Sequence, residues 1–414
     1  MQNMSMAVSG LERSKEMRGV TAFASVIVIL AAASAYAVSL SEPVPSFRQG
    51  FVMQEPLVQP NVVYEHAGRV YLLRADLYPI KVYALGGSTR LRSGLCVGET
   101  TEVATLPHKD HYRLGGLSSV EPVGEALWIF DMATDAKNET LVPRVSGYSM
   151  SNFSKVRSEP TTLPFSVTSR LKNISNGFIL FGKTDTDEAA VERRDNNGQF
   201  VWAKEIEVRH SLNRFTDIVE SGSLLIATGC TLDVDDESGH QLNEQVFVCC
   251  LNAQTGDLVT SVTWDGDAGV NMNPLLAWHP SWQNYAVLFD SNPDDALINP
   301  TIAFLGRDNV VHSTSTLFAE PINAALLSSA GTAVARVGHR TVAFAFTAMA
   351  EMPLLVAVFD ADNPNVITKI PMSVPKGLNV SSIRMDRLTS GTVLTFDAVD
   401  EEGIKGYIVS VDAE

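Results

Sequence analysis

Seven short apolar runs, each entered through a turn residue, recur along the chain about every fifty-four positions, and this recurrence limits the fold more than any other feature. They are Gly68-Arg-Val-Tyr-Leu-Leu, Gly124-Glu-Ala-Leu-Trp-Ile-Phe, Gly177-Phe-Ile-Leu-Phe, Gly222-Ser-Leu-Leu-Ile-Ala, Asn284-Tyr-Ala-Val-Leu-Phe, His339-Arg-Thr-Val-Ala-Phe-Ala-Phe and Gly391-Thr-Val-Leu-Thr-Phe. Each is too short for a buried helix and carries the β-branched and aromatic residues of strands. A second strand pattern follows each run after a polar loop: Ile80 to Leu85, Thr140 to Val145, Ala189 to Arg194, Gln245 to Leu251, Thr301 to Leu305, Leu354 to Asp360 and Gly406 to Val411. Strand-built repeats of this length stack around a common axis. The chain is therefore expected to be all-β, a seven-bladed β-propeller, with six or eight blades the alternatives that the uneven spacing admits. Seven such units use almost all of the 414 residues as one body.

The last unit ends just after its second strand, at Val411-Asp-Ala-Glu414, which leaves its sheet without an outer member. An N-terminal strand is expected to close the ring, either Phe47 to Met53 or Val62 to Glu65, because that pairing covers an exposed edge. Upstream, Arg13, Lys15 and Arg18 precede an uncharged stretch from Gly19 to Leu40 that contains the small-x-small pattern Ala35-Tyr36-Ala37. This reads as a secretory signal peptide over residues 1–37. The other reading is an uncleaved signal anchor with its basic flank in the cytoplasm. Residues 38–46 form a Pro-bearing linker and residues 47–414 the propeller domain, so either reading puts the propeller in the secretory pathway, extracellular or lumenal. A net charge of −16, with no basic stripe beyond the leader, excludes a nucleic-acid surface.

Turn chemistry brings in a resemblance. Glu192-Arg-Arg-Asp-Asn-Asn-Gly198-Gln-Phe-Val-Trp202 and Cys250-Leu-Asn-Ala-Gln-Thr-Gly256-Asp-Leu-Val resemble the repeat of quinoprotein-dehydrogenase-like propellers, in which an Asp, a Gly and a Trp four residues on recur in each blade. The second segment departs by placing Thr260 where the Trp would stand. Trp278-His-Pro-Ser-Trp282-Gln-Asn-Tyr285 resembles the strand-turn-strand entry of WD40-like and TolB-type blades, without their Asp-Gly. The resemblance implies a propeller fold. A redox cofactor held with calcium would go with the quinoprotein enzymes, but no residue here is identified as its ligand.

Motifs for catalysis are absent: no Gly-x-Ser-x-Gly, no phosphate-binding Gly-rich loop, no His-Glu-x-x-His and no Cys-x-x-Cys. Two segments could hold a metal. His108-Lys-Asp110-His111 places two imidazoles and a carboxylate on one loop. Asp233-Val-Asp235-Asp236-Glu237 concentrates carboxylates, with Glu244 where a calcium loop has its closing Glu, although the Gly239 turn falls one place late and no flanking helices are expected. Both read more simply as polar loops; no cofactor is expected, and calcium is the one ion that the acidic loop could take. Cys230 could bridge to Cys249 or Cys250 across one hairpin, but with residues 231 to 245 as the loop, Cys230 falls opposite Val246, three residues from Cys249. The competing reading is buried thiols.

Four sequons, at Asn138, Asn152, Asn173 and Asn379, would accept N-glycans in a eukaryotic lumen. Trp278 and Trp282 are the aromatics placed to contact a partner, with blade core as the alternative. The function expected is a binding or scaffold module that takes a protein or carbohydrate ligand on its loop-bearing face. Two alternatives are a propeller enzyme, hydrolase or quinoprotein-like, with its site at the central channel, and a structural subunit of an assembly attached to the membrane through an uncleaved leader. A ring of convergent acidic or His residues in the channel would favour the enzyme.

Overall fold

The computed structural model describes residues 47–53, 61–74, 80–85, 100–106, 119–135, 140–208, 212–234, 241–264, 274–278, 284–290, 297–298, 300–306, 308–316, 322–323, 332–337, 341–346, 355–360, 367–371, 380–389, 391–400 and 403–411. The expected leader and linker lie outside them. Every regular element among the described residues is a β-strand.

Strand β1 spans Phe47–Met53. The first four-stranded sheet follows as β2 (Asn61–His66), β3 (Arg69–Arg74), β4 (Lys81–Leu85) and β5 (Thr100–Thr105). The second is β6 (Ser119–Val123), β7 (Ala126–Asp135), β8 (Thr140–Ser149) and β9 (Lys155–Pro160). The third is β10 (Arg170–Ile174), β11 (Gly177–Lys183), β12 (Ala189–Arg194) and β13 (Phe200–Ile206). The fourth is β14 (Leu212–Ser221), β15 (Leu224–Val234), β16 (Gln241–Asn252) and β17 (Leu258–Trp264). The fifth holds β18 (Leu275–Trp278), β19 (Asn284–Asp290), β21 (Pro300–Gly306) and β22 (Val311–Thr316). A two-stranded clip pairs β20 (Leu297–Ile298) with β23 (Ile322–Asn323).

The sixth sheet is β24 (Thr332–Val337), β25 (Thr341–Phe346), β26 (Leu355–Asp360) and β27 (Ile367–Pro371). The last joins β28 (Val380–Leu388), β29 (Gly391–Asp400) and β30 (Gly403–Val411) to β1, in the order β1-β30-β29-β28. The β1–β30 pairing is antiparallel, with Phe47 opposite Val411 and Met53 opposite Gly406. Of the two N-terminal segments considered from sequence, Val62 to Glu65 lies inside β2 instead.

The first strand of each sheet lies against the first strand of the next: β2 against β6, then β10, β14, β18, β24 and β28, and β28 against β2. Antiparallel sheets set radially around an axis in this way define a β-propeller. The apolar runs are the second strands, β3, β7, β11, β15, β19, β25 and β29. They read as continuous rather than alternating because both faces are covered in the sheets whose side-chain burial is described. Leu225 and Ala227 pack toward the third sheet with Ile179, Phe181 and Val191. Ile226, between them, packs toward the fifth with Leu276, Tyr285 and Val287. Similar cores join the first sheet to the second, the second to the third and the last to the first.

The Gly-to-Trp spacing of the repeat has a packing role. Trp202 of the third sheet donates from Nε1 to the Ala253 carbonyl (3.2 Å) in the turn of the fourth, and a Cβ on Gly256 would come within 2.5 Å of its ring. Trp128 of the second sheet covers Gly198 of the third in the same way. Beside it, the buried Arg194 donates from Nε to Glu192 (2.7 Å) and from its terminal nitrogens to the carbonyls of Gly198 (3.0 Å) and Pro160 (2.9 Å). Glu192 also accepts the Thr162 N–H (2.7 Å), so this buried pair is fully hydrogen-bonded within and between the second and third sheets.

A braced charge cluster on the innermost strands

The innermost strands carry charge where a core strand would carry apolar residues. Four of them lead into a tight connection to the next strand: β6 through Gly124-Glu125, β10 through Ser175-Asn176, β14 through Gly222-Ser223 and β28 through the turn that begins at Thr389. Three residues before those turns stand Glu121, Lys172 and Asp386. Five residues before stand Arg170, Asp217 and Arg384. A separation of two keeps side chains on one side of a strand, so the charges form two levels about 7 Å apart.

Arg384 is the centre of the cluster. Its Nε donates to Asp386 Oδ1 (2.7 Å), one terminal nitrogen to Glu121 Oε2 (3.0 Å) and the other to the Val120 carbonyl (3.4 Å). In the ring, β2 stands between β28 and β6, so this side chain passes on the axial side of β2 to link the last sheet to the second. It retains only 22% exposure, and Glu121 17%. On the other side, Lys172 Nζ reaches Asp217 Oδ1 (2.5 Å) and ties the third sheet to the fourth.

The carboxylates are also held by backbone. Asp386 accepts the Val63 N–H (2.8 Å), Asp217 the Ile218 (2.8 Å) and Leu276 (2.9 Å) N–H groups, and Glu121 the Asn173 N–H (3.3 Å). Ser119 Oγ accepts the Leu171 N–H (2.9 Å). Each of these bonds, Ile218 apart, joins neighbouring innermost strands, which share no sheet ladder and would otherwise leave N–H groups unpaired.

Burial raises the Glu121 carboxyl above its ordinary range, with Asp386 adding to the rise and Arg384 opposing it. Burial raises Asp386 too, again against Arg384. For Arg384 burial works toward a lower pKa, but the two carboxylates outweigh it and the net shift is upward. Arg170 shifts downward through burial and the nearby Arg384 and Arg214 charges, which Asp217 only partly offsets. Its side chain is nonetheless open to solvent. Arg214 donates from Nε to Cys230 Sγ (2.8 Å).

The residues singled out from sequence are not part of this cluster. His108, Asp110 and His111 lie outside the described residues, as do Asp235, Asp236 and Glu237. Asp233 pairs with Leu242 in the β15–β16 ladder and Glu244 lies in β16, so the hairpin runs further than the expected 231–245 loop allowed. Among the described residues no group of three His, Cys, Asp or Glu side chains is placed to hold a metal. The expected alternative of a cysteine bridge is not formed: Cys230, Cys249 and Cys250 are buried thiols with no disulfide among the described residues. Cys230 pairs with Val246, Ala227 with Cys249 and Ile226 with Cys250, so the strand register keeps the sulfurs apart. Cys96 lies outside the described residues.

Trp278 ends β18 opposite Tyr285 and is partly buried against the core between the fourth and fifth sheets. Tyr285 is core, its hydroxyl donating to Asn309 Oδ1, and Trp282 is outside the described residues. Asn152 is exposed in the turn after β8, where its Oδ1 accepts from Ser154 N (3.0 Å) and Oγ (2.7 Å). Asn173 lies on β10 and donates from Nδ2 to the Pro122 carbonyl (3.0 Å). Asn138 and Asn379 are outside the described residues. Sequence reasoning missed Glu121, Arg170, Lys172, Arg214, Asp217, Arg384 and Asp386. The available signal was Arg-x-Lys at 170–172 and Arg-x-Asp at 384–386, charges spaced by two just ahead of an apolar run.

No protein-family model matches the chain, and no curated protein matches it. Solved structures of similar shape are propeller-containing proteins. Extracellular domains 1–2 of Drosophila semaphorin 1b share 8% identity at a TM-score of 0.48, over 89% of this chain and 87% of that one. The β-propeller domain of the trilobed protease from Pyrococcus furiosus shares 9% at 0.44, over 72% and 83%. A Trypanosoma rangeli sialidase shares 9% at 0.42, over 76% and 56%. Similarities this distant concern the fold alone.

Proposed function

We propose that the chain is a rigid binding module: a seven-bladed propeller, completed by β1 as the outer strand of the last blade, that presents a loop-bearing face to a protein or carbohydrate partner. The observation that carries the reading is the state of the central carboxylates. Glu121, Asp217 and Asp386 each accept from a cationic side chain and from at least one backbone N–H. General acid–base catalysis needs a carboxyl free to exchange a proton with substrate. Groups committed in this way brace the innermost strands, and a rigid scaffold under variable loops is suited to binding.

The four-stranded sheets in radial contact and the β1–β30 register support the blade count and the closure. The docking of Trp202 on the turn at Gly256 supports kinship with quinoprotein-like repeats. Secretion follows from the leader, cleaved or retained as an anchor, and Asn152 is the described sequon whose amide is open to a glycan. The test is to probe a glycan array and a panel of extracellular ectodomains with the secreted, tetramerised chain, and to assay it in parallel against peptide, ester and glycoside substrates. Saturable binding to one class that survives Glu121→Gln and Asp217→Asn is the expected result. Turnover abolished by either substitution would replace the binding module with an enzyme.

A further inference from the structure

Among the described residues of the innermost strands, two cations, Arg170 and Arg214, have no ion-paired carboxylate. Four cationic side chains, Arg170, Lys172, Arg214 and Arg384, meet three carboxylates, Glu121, Asp217 and Asp386, within a chain whose net charge is −16. Lys172 takes Asp217, and Arg384 takes both Glu121 and Asp386. The Arg170 side chain makes no hydrogen bond or ion pair among the described residues, the Asp217 charge that acts on it being bonded to Lys172, and the Arg214 side chain makes only its Nε bond to Cys230. Arg170 stands at the same level as Arg384, and both Arg384 and Arg214 are close enough for their charges to act on it. Guanidinium charges held near one another repel, and the Arg170 and Arg214 side chains retain unfilled N–H donors.

We propose that the axial region around Arg170, with Arg384 at its level and Arg214 nearby, is a binding site for a small oxyanion, a carboxylate or phosphate group whose paired oxygens match the guanidinium fork. Arg170 supplies the primary contact, because its whole donor set is open and its side chain reaches solvent. The terminal nitrogens of Arg214 add a second contact. Arg384, fixed by Glu121 and Asp386, contributes its charge without changing partners. A bidentate Arg contact is geometric as well as electrostatic, so Lys at the same position would keep the charge and lose the fork. The inference does not depend on which macromolecule the loops engage.

The experiment is thermal unfolding and titration calorimetry of the full secreted chain with inorganic phosphate and, separately, with succinate. Each is compared with sodium chloride at matched ionic strength. Expected is a saturable rise in Tm of about 2 °C or more with at least one of the two anions and not with chloride. In Arg170→Gln the rise is lost, and in Arg170→Lys affinity falls at least tenfold. The Arg170 side chain is exposed and makes no hydrogen bond among the described residues, so both variants are expected to fold. Phosphate active alone, or succinate active alone, identifies the group that is recognised. Equal responses to both anions and chloride, or equal responses of parent and Arg170→Gln, overturn the site.

Discussion

Replacing Gly198 with Ala separates two costs that the structure places at one residue. Gly198 sits in the turn between β12 and β13 at φ +74°, a conformation that costs an L-residue about 1–2 kcal/mol. A Cβ there would also overlap the six-membered ring of Trp128, which is buried from the neighbouring sheet and has no room to move. Overpacking of a close-packed contact costs about 1–3 kcal/mol more. Gly222 is the control: φ is +64°, yet a Cβ meets nothing within 4 Å, so only the conformational cost applies. Gly222→Ala should therefore destabilise by about 1–2 kcal/mol and Gly198→Ala by about 2–5 kcal/mol. Urea unfolding followed by circular dichroism and tryptophan fluorescence reads both. Because the excess lies in one contact, Trp128→Leu combined with Gly198→Ala should cost less than the sum of the two single changes. Equal destabilisation by the two glycine variants, or additivity in the double variant, would refute inter-sheet docking as the role of this Gly.

Other predictions follow from the same contacts. The raised Glu121 pKa means that the folded state binds its proton more readily than the unfolded chain, so its contribution to stability falls as pH rises through the ordinary carboxylate range toward the raised value. Between pH 4 and pH 7, Glu121→Gln should therefore lose less Tm than the parent, each measured against its own value at pH 4; a larger loss would mean that the shift has the opposite sign. In a glycosylating host, mass spectrometry of tryptic peptides should find occupancy at Asn152 and none at Asn173, whose amide is bonded within the ring; glycan on Asn173 would contradict that placement. Reductant should leave Tm unchanged, and Cys230, Cys249 and Cys250 should stay unreactive toward a thiol reagent until the chain unfolds. Deleting residues 47–53 strips β30 of its outer partner and should expose the amides of Gly403–Val411 to hydrogen exchange; unchanged protection would show that β1 does not close the sheet.

The fold was legible because strands buried on two faces leave continuous apolar runs, and such runs need no knowledge of partners to be recognised. Ala189 to Arg194 matches β12 at both ends, and the runs at Gly177 and Gly391 fall on β11 and β29. Strand lengths were less legible. The β15–β16 ladder continues through Asp233–Leu242 and Val234–Gln241 although its polar composition reads as a loop, since ladder pairing does not require apolar side chains. The charge cluster stayed hidden for a different reason. Arg384 and Glu121 are separated by 263 residues, and only the closed ring brings β28 within reach of β6. Local motif reasoning instead found the dense acidic segment at 233–237 and the His108–His111 loop, where residues cluster in sequence; the structure assembles its charges from strands that are distant in the chain.

The claim that the central charges brace the innermost strands is tested most directly by a double-mutant cycle on Arg384→Met and Glu121→Gln, read as unfolding free energy at pH 7. The pair links the last sheet to the second across the axial side of β2, so the account predicts a coupling of about 1–3 kcal/mol. Strict additivity of the two substitutions would contradict it.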